Sequence, residues 1–167
     1  KPEIIQCCHE EISVFVAHGY AKATGKPMVA ITHDTSGLLH ASMAIFNAWC
    51  DRVPLIVLGG TGPADATKRV PHVDWNHGSL VPGNLVRDFV KWDDQPFSIG
   101  AIPESILRAY KIAVTPPKGP VYVCLDQSLQ EEKLPQDFVL PDVSRYQPAE
   151  PVQPNLTALR QAARWLV

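Results

Sequence analysis

Cys7-Cys8-His9-Glu10-Glu11-Ile12-Ser13-Val14-Phe15-Val16-Ala17-His18-Gly19-Tyr20-Ala21-Lys22-Ala23-Thr24-Gly25-Lys26-Pro27 is the stretch around which the chain is organised. Ile4 to Cys8 is an apolar run that reads as a short buried strand. From Glu10 the spacing becomes helical: apolar residues at 12, 15, 16, 20 and 23 fill one face, and 14, 17 and 21 make a second. A helix that is apolar on two faces is expected to be buried. Gly25 followed by Lys26-Pro27 is a stop signal, which predicts a helix over residues 10–24. Glu10 then lies in the first turn, where a carboxylate complements the helix dipole by roughly 0.3–1 kcal/mol whatever else it does.

The same alternation of short apolar runs and helical patterns continues outward. Residues 28–32 read as a strand, followed by the polar turn His33-Asp34-Thr35-Ser36-Gly37 and a helix from about Leu38 to Cys50. Asp34, Thr35 and Ser36 are natural caps for that helix. Leu55-Ile56-Val57-Leu58 is a third strand, ending in Gly59-Gly60-Thr61-Gly62-Pro63. Residues 64–84 read as a loop, broken by Pro71, Gly78, Pro82 and Gly83. A strand is expected over 85–92, a helix from Pro103 to about Thr115, and a last strand over 121–125. Strands alternating with helices predict a doubly wound α/β fold: a parallel sheet with helices on both faces.

After Asp126 the composition changes. Residues 127–154 carry five prolines among polar residues and read as an extended linker on the domain surface. Residues 155–167 begin a new amphipathic helix, expected to be the first of a following domain.

The chain has 167 residues, 46% of them hydrophobic, and a net charge of −2, the profile of a globular protein with no electrostatic case for nucleic acid or a membrane surface. No apolar run approaches the roughly 20 residues of a membrane span. The four cysteines (7, 8, 50 and 124) form no C-x-x-C pair, so reduced thiols in a cytoplasmic protein are expected. Cys7-Cys8-His9 is not expected to bind metal, because neighbouring strand residues point to opposite faces. His72, Asp74 and His77 match no recognised ligand spacing, and their segment reads as a loop folding over the mouth of a site. His40 reads as a packed or surface histidine.

His9-Glu10 and the segment Gly19-Tyr20-Ala21-Lys22-Ala23-Thr24-Gly25-Lys26-Pro27 resemble the pyrimidine-binding domain of thiamine-diphosphate-dependent enzymes. The likeness continues through Asn47-Ala48-Trp49, Val53-Pro54-Leu55-Ile56-Val57, Val90-Lys91-Trp92 and Gly119-Pro120-Val121-Tyr122-Val123, covering about residues 3–126. It implies a thiamine-diphosphate-binding fold over 1–126, incomplete at its N-terminus by one strand and one helix. Acetolactate synthases and benzoylformate decarboxylases are the members it evokes. Their chemistry is decarboxylation or carbon–carbon ligation of 2-oxo acids.

The resemblance also implies roles for particular residues. Glu10 takes the place of the family's cofactor-contacting glutamate, which hydrogen-bonds the pyrimidine ring nitrogen. Sharing a proton there calls for a carboxyl whose pKa is raised by apolar burial; Glu11 would be its solvent-side neighbour. His33 stands where benzoylformate decarboxylase has an acid/base histidine; its bland alternative is a loop histidine bonding the backbone or capping the next helix. Gly37 and Thr61 are expected at the cofactor, the first in the turn after a strand and the second where many relatives have glutamine. Gly59 to Pro63 has the glycines of a phosphate cradle but lacks the Lys-Ser/Thr of a P-loop.

No metal ligand is expected in this chain. Magnesium and the diphosphate belong, in the family, to a separate domain with a Gly-Asp-Gly motif, which does not occur here. The active site of such enzymes forms against a second subunit, in a homodimer or homotetramer, so this piece alone is expected to be inactive. The competing reading is a non-catalytic assembly or nucleotide-binding domain on the same scaffold.

Overall fold

A computed structural model describes residues 2–166. Its centre is a four-stranded, all-parallel sheet of β1 (Met28–Ile31), β2 (Leu55–Thr61), β3 (Asp93–Asp94) and β4 (Pro120–Asp126), in the order β1-β2-β4-β3. Around it lie α1 (Glu10–Thr24), α2 (Asp34–Cys50), α3 (Pro71–His77), α4 (Ala101–Val114), α5 (Gln127–Glu131) and α6 (Leu156–Leu166).

Side-chain alternation along β2 and β4 assigns the two faces. Leu55, Val57, Tyr122 and Cys124 pack with α1 and α2, through Val14, Ala17, Ala21, Leu38, Ala41, Ala44, Ile45 and Ala48. Ile56, Val121 and Val123 point the other way, onto Ala109 and Ala113 of α4. The step from β1 to β2 crosses over through α2, and the step from β3 to β4 runs in the opposite direction through α4 on the opposite face. Reversing both direction and face keeps one hand for the two crossovers, as parallel connections require. The doubly wound architecture read from the sequence is the one observed. Between β2 and β4 the winding reverses, and ligands of such sheets bind at this switch point, beyond the carboxyl ends of the strands.

α1 occupies the residues its periodicity predicts. His9 is its N-cap, and Gly25 closes it with φ 72°, a left-handed conformation that glycine adopts without a Cβ penalty. Its burial differs from the expectation, however. Val14, Ala17, His18 and Ala21 are buried, whereas Ile12, Phe15, Val16 and Tyr20 face outward and are 41–49% exposed. One helix face meets the sheet and α2; among the described residues nothing covers the other.

Three further expectations are corrected. Residues 4–8 form no strand, and Ile4 is 82% exposed: the run finds no ladder partner, and Val29 and Ile31 on the open edge of β1 remain exposed too. The segment 85–92 is not a strand but two 3₁₀ turns, Pro82–Leu85 and Arg87–Phe89. Arg87 folds it back by gripping Asp93 with Nε at 2.9 Å and Nη2 at 2.6 Å, so backbone pairing to β4 starts only at Lys91, whose N–H donates to the Pro120 carbonyl. The stretch 64–84 is not all loop, since α3 starts on Pro71 and ends before Gly78.

β4 is joined directly to α5, and residues 132–155 then run largely without regular structure, apart from a 3₁₀ turn at Val143–Tyr146 that touches α4. The side chains of α6 are exposed along its described length. Among the described residues no helix is long and apolar enough to cross a membrane.

Candidate cofactor site

α1 runs antiparallel to β1, which follows it, so its N-terminus lies at the edge of the sheet where the strands end. α2 starts from the same edge, immediately after β1. This topology brings Glu10 and Gly37 together. A Cβ on Gly37 would stand 2.9 Å from Glu10 Oε1 and 3.0 Å from its Cγ. Gly37 therefore serves as the floor against which the carboxyl lies, and any larger residue would displace it. The Gly37 N–H donates to the His33 carbonyl at 2.6 Å, within the first turn of α2.

Two histidines that sequence reasoning did not place here complete the surroundings of Glu10. His40 Nδ1 is 3.6 Å from Glu10 Oε2, and the rings of His9 and His40 stack with centroids 4.9 Å apart. His9 also accepts the Glu11 N–H at Nδ1, 3.3 Å away, which is its capping bond. The available signal was spacing: His40 lies three residues beyond Gly37 on the same helix, hence on the same face.

Glu10 is not the dry carboxyl that the sequence reading called for. Its side chain is 25% exposed in this chain. Its own backbone N–H is the main influence and holds the carboxyl below its ordinary range; burial opposes this, and His40 and His9 add to the lowering. Ile12 and Phe15, on the helix face expected to be buried, point to solvent instead.

His33 is exposed and stands at the N-cap of α2 without making a side-chain cap bond. Its ring meets that of His77 edge-on, at 5.2 Å between centroids. α2 starts at Asp34, four residues before the expected position, and Asp34, Thr35 and Ser36 are its first turn and not its caps. Asp34 takes φ 45°, an uncommon value for a residue with a side chain, at the bend from strand end to helix. α3 lies over this corner, where the Thr35 hydroxyl reaches the His77 carbonyl at 3.5 Å.

Thr61 is buried, and its hydroxyl is committed to the segment after α3: it donates to the Ser79 carbonyl at 2.9 Å and accepts the Ser79 N–H at 3.3 Å. Gly59, Gly60 and Thr61 are ladder residues of β2, paired with Cys124, Leu125 and Asp126. Their backbone groups serve the sheet, and no phosphate cradle forms there. The sequence reading also passed over Asp126, which is buried at the end of β4. It accepts the Ala64 N–H at 2.6 Å, and the Ser128 N–H and hydroxyl at 2.7 and 2.6 Å. These bonds tie the exit of β2 to the exit of β4 across the switch point. Asp followed two residues later by Ser was the legible signal, an N-cap pattern for α5.

Residues 1–80 match the family model described as thiamine pyrophosphate enzyme, N-terminal TPP binding domain. The chain is 28% identical over 117 residues to a benzoylformate decarboxylase of Pseudomonas aeruginosa, an alignment that spans 70% of this chain and 21% of that protein. It is 30% identical over 129 residues to a probable chloroplastic acetolactate synthase 2 of Oryza sativa, spanning 74% and 18% respectively. The chain thus covers about a fifth of the length of these relatives. Among solved structures, a benzoylformate decarboxylase from Polynucleobacter necessarius superposes with a TM-score of 0.73 at 24% identity, over 93% of this chain and 28% of the other, which establishes the shared fold. A thiamine diphosphate-dependent 4-hydroxybenzoylformate decarboxylase of Rhodococcus jostii gives 0.67 at 25% identity, over 88% and 26%.

Proposed function

We propose that this chain, which belongs to the family of thiamine pyrophosphate enzyme N-terminal TPP-binding domains, supplies the pyrimidine-binding half of an active site that decarboxylates or ligates 2-oxo acids. The observation that carries this reading is the seat of Glu10 against Gly37 at the carboxyl edge of a doubly wound parallel sheet. That cradle fits the cofactor, because it offers a partly open carboxylate beside a floor that no side chain fills. Bound thiamine diphosphate would supply carbanion-stabilising chemistry that amino-acid side chains lack. Glu10 would hold the pyrimidine ring nitrogen, and Gly37 would keep the approach clear. Thr61 would act at one remove, by pinning the segment at Ser79. Magnesium and the diphosphate would be bound by a domain outside this chain.

His33, exposed at the same edge, is proposed as an acid/base group toward substrate. His33→Ala is expected to lower the decarboxylation rate of the complete enzyme by roughly 100-fold, the usual worth of one positioned acid/base group. Full activity of that variant on every accepted 2-oxo acid would reduce His33 to a structural residue.

The partner is proposed to be a second subunit of the same protein, in a homodimer or homotetramer. Supporting this are the apolar stripes Ile12, Phe15, Val16 and Tyr20 on α1, and Leu39, Met43 and Phe46 on α2, all exposed on the same side of the sheet. Uncovered apolar surface of this kind marks an interaction site. A Phe15→Asp/Met43→Asp double variant of the complete enzyme is expected to sediment as the monomer with its circular dichroism unchanged, since both residues are exposed in the folded chain. Sedimentation identical to wild type would remove this face from the interface. Residues 1–126 would then form the pyrimidine domain, with 127–154 as linker and 155–167 opening a following domain. The free cysteines, three of them at least partly accessible, fit a reducing compartment such as the cytoplasm. Glu10→Gln is the direct test of the main reading, read by exchange of the cofactor's thiazolium proton.

A further inference from the structure

Two imidazoles and a carboxylate are brought together at the junction of α1 and α2. His9, Glu10 and His40 each offer a ligand atom, and all three atoms lie within 4.8 Å of one another. They come from two helices, so the tertiary fold and not local sequence makes the cluster. Its members are held: Gly37 leaves room for the Glu10 carboxyl, His40 Nδ1 is 3.6 Å from Glu10 Oε2, and His9 is stacked on His40.

We infer that His9, Glu10 and His40 form a binding site for a divalent transition ion of the zinc class. Two histidines and one carboxylate are a recurrent three-ligand set for zinc, which leaves the fourth position open to water. Imidazole nitrogen favours zinc, nickel and copper over magnesium and calcium, whose preferred donors are oxygens. Zinc bonds of about 2.0–2.2 Å in a tetrahedral arrangement place donor atoms roughly 3.3–3.5 Å apart. The Glu10–His40 pair is already near that spacing. His9 and His40 are both exposed, so their rings can turn the remaining distance without repacking the core. The cost falls on the long His9 capping bond to the Glu11 N–H, which a metal-bound ring must give up if it coordinates through Nδ1.

The site differs from the magnesium site proposed for another domain in position, donor type and preferred ion. It also claims the carboxylate of Glu10. Resting on the cofactor reading above, an ion held there withdraws Glu10 from the pyrimidine and makes zinc a competitor of thiamine diphosphate.

Calorimetric titration of the 167-residue chain with zinc chloride, without cofactor, tests binding alone, so that failure of the cofactor reading leaves this result standing. The expected outcome is one ion per chain, with affinity at least tenfold weaker in His40→Ala and in His9→Asn. Asparagine keeps a capping side chain at position 9, and His40 is on an exposed helix face, so both variants are expected to fold. A Cys7→Ser/Cys8→Ser variant, which removes the adjacent thiols, is expected to bind zinc as the wild type does. Unchanged affinity in the two histidine variants, or zinc binding lost with the cysteines and retained without His40, would overturn the site.

Discussion

Replacing Glu10 with glutamine is expected to slow exchange of the cofactor's thiazolium proton by about 100-fold or more in the complete enzyme, the scale of one positioned proton-transfer group. Glutamine keeps the length of the side chain and its fit against Gly37, but can neither carry the negative charge nor pass a proton. The fold should barely respond. Glu10 contributes one first-turn charge, so the loss is of the order of 0.3–1 kcal/mol. Glu11→Gln is the matched control: it removes an equal charge from the same helix turn without touching the seat on Gly37, and its exchange rate should remain that of the wild type. A Glu10→Gln enzyme exchanging at the wild-type rate would take Glu10 out of the mechanism. The protonation behaviour adds a condition. In this chain Glu10 is a quarter exposed and its carboxyl is held low, first by its own backbone N–H, so it is ionised at neutral pH. Sharing a proton with the pyrimidine requires a higher pKa, and covering the open quarter by another domain or subunit moves it that way. The isolated chain is therefore expected to leave exchange at its rate in water.

The elements legible in the sequence were those whose local pattern and tertiary role agree. α1 was readable to its last residue because His9, Glu10 and Gly25 mark both ends of the helix. β2 and β4, the buried central strands, were readable from continuous apolar runs. Misreadings arose where one pattern serves two physical situations. The apolar face through Ile12, Phe15 and Val16 looked like core because periodicity reports only that a face avoids water, and says nothing of which molecule covers it. Ile4 and Ile5 looked like a strand for the same reason. Pro71 and Gly78 were taken for loop breakers, yet proline at the first helical position and glycine beyond the last are also the punctuation of a helix, which is what α3 proved to be. For the site, Glu10 was visible through its resemblance alone. Gly37 was expected at the cofactor, but its contact with Glu10 and the approach of His40 were not legible, because both arise only after the crossover has laid α2 beside α1.

Asp126 is where the largest loss of stability is expected. Its carboxylate accepts two backbone N–H groups and a hydroxyl, all at 2.6–2.7 Å, and it is 5% exposed. Each charge-assisted bond is worth about 1.5–3 kcal/mol, and removing the acceptor leaves the Ala64 and Ser128 N–H groups without a partner. Because the three bonds share one acceptor group they are not additive, and Asp126→Ala is expected to cost about 3 kcal/mol. For a domain of this size that lowers the thermal midpoint by roughly 6–12 °C. Asp126→Asn, which keeps one acceptor oxygen, should lose about half as much. Burial works to raise the pKa of Asp126, but the bonds from Ser128 and Ala64 outweigh it and leave the carboxyl below its ordinary value. The sign of the pH dependence follows from that direction. A carboxyl depressed in the folded state contributes its full stability above its unfolded pKa of about 3.9, and loses it as pH falls through the folded value. The stability gap between wild type and Asp126→Asn should thus stay constant from neutral pH down to about pH 5 and narrow at lower pH. Urea unfolding of both proteins across that range measures it. A gap that stays constant to pH 3 would show that Asp126 holds the two strand exits together by shape and not by charge. In that case the switch point, and with it the edge on which Glu10 and His33 stand, would have to be fixed by Thr61 and its two bonds to Ser79.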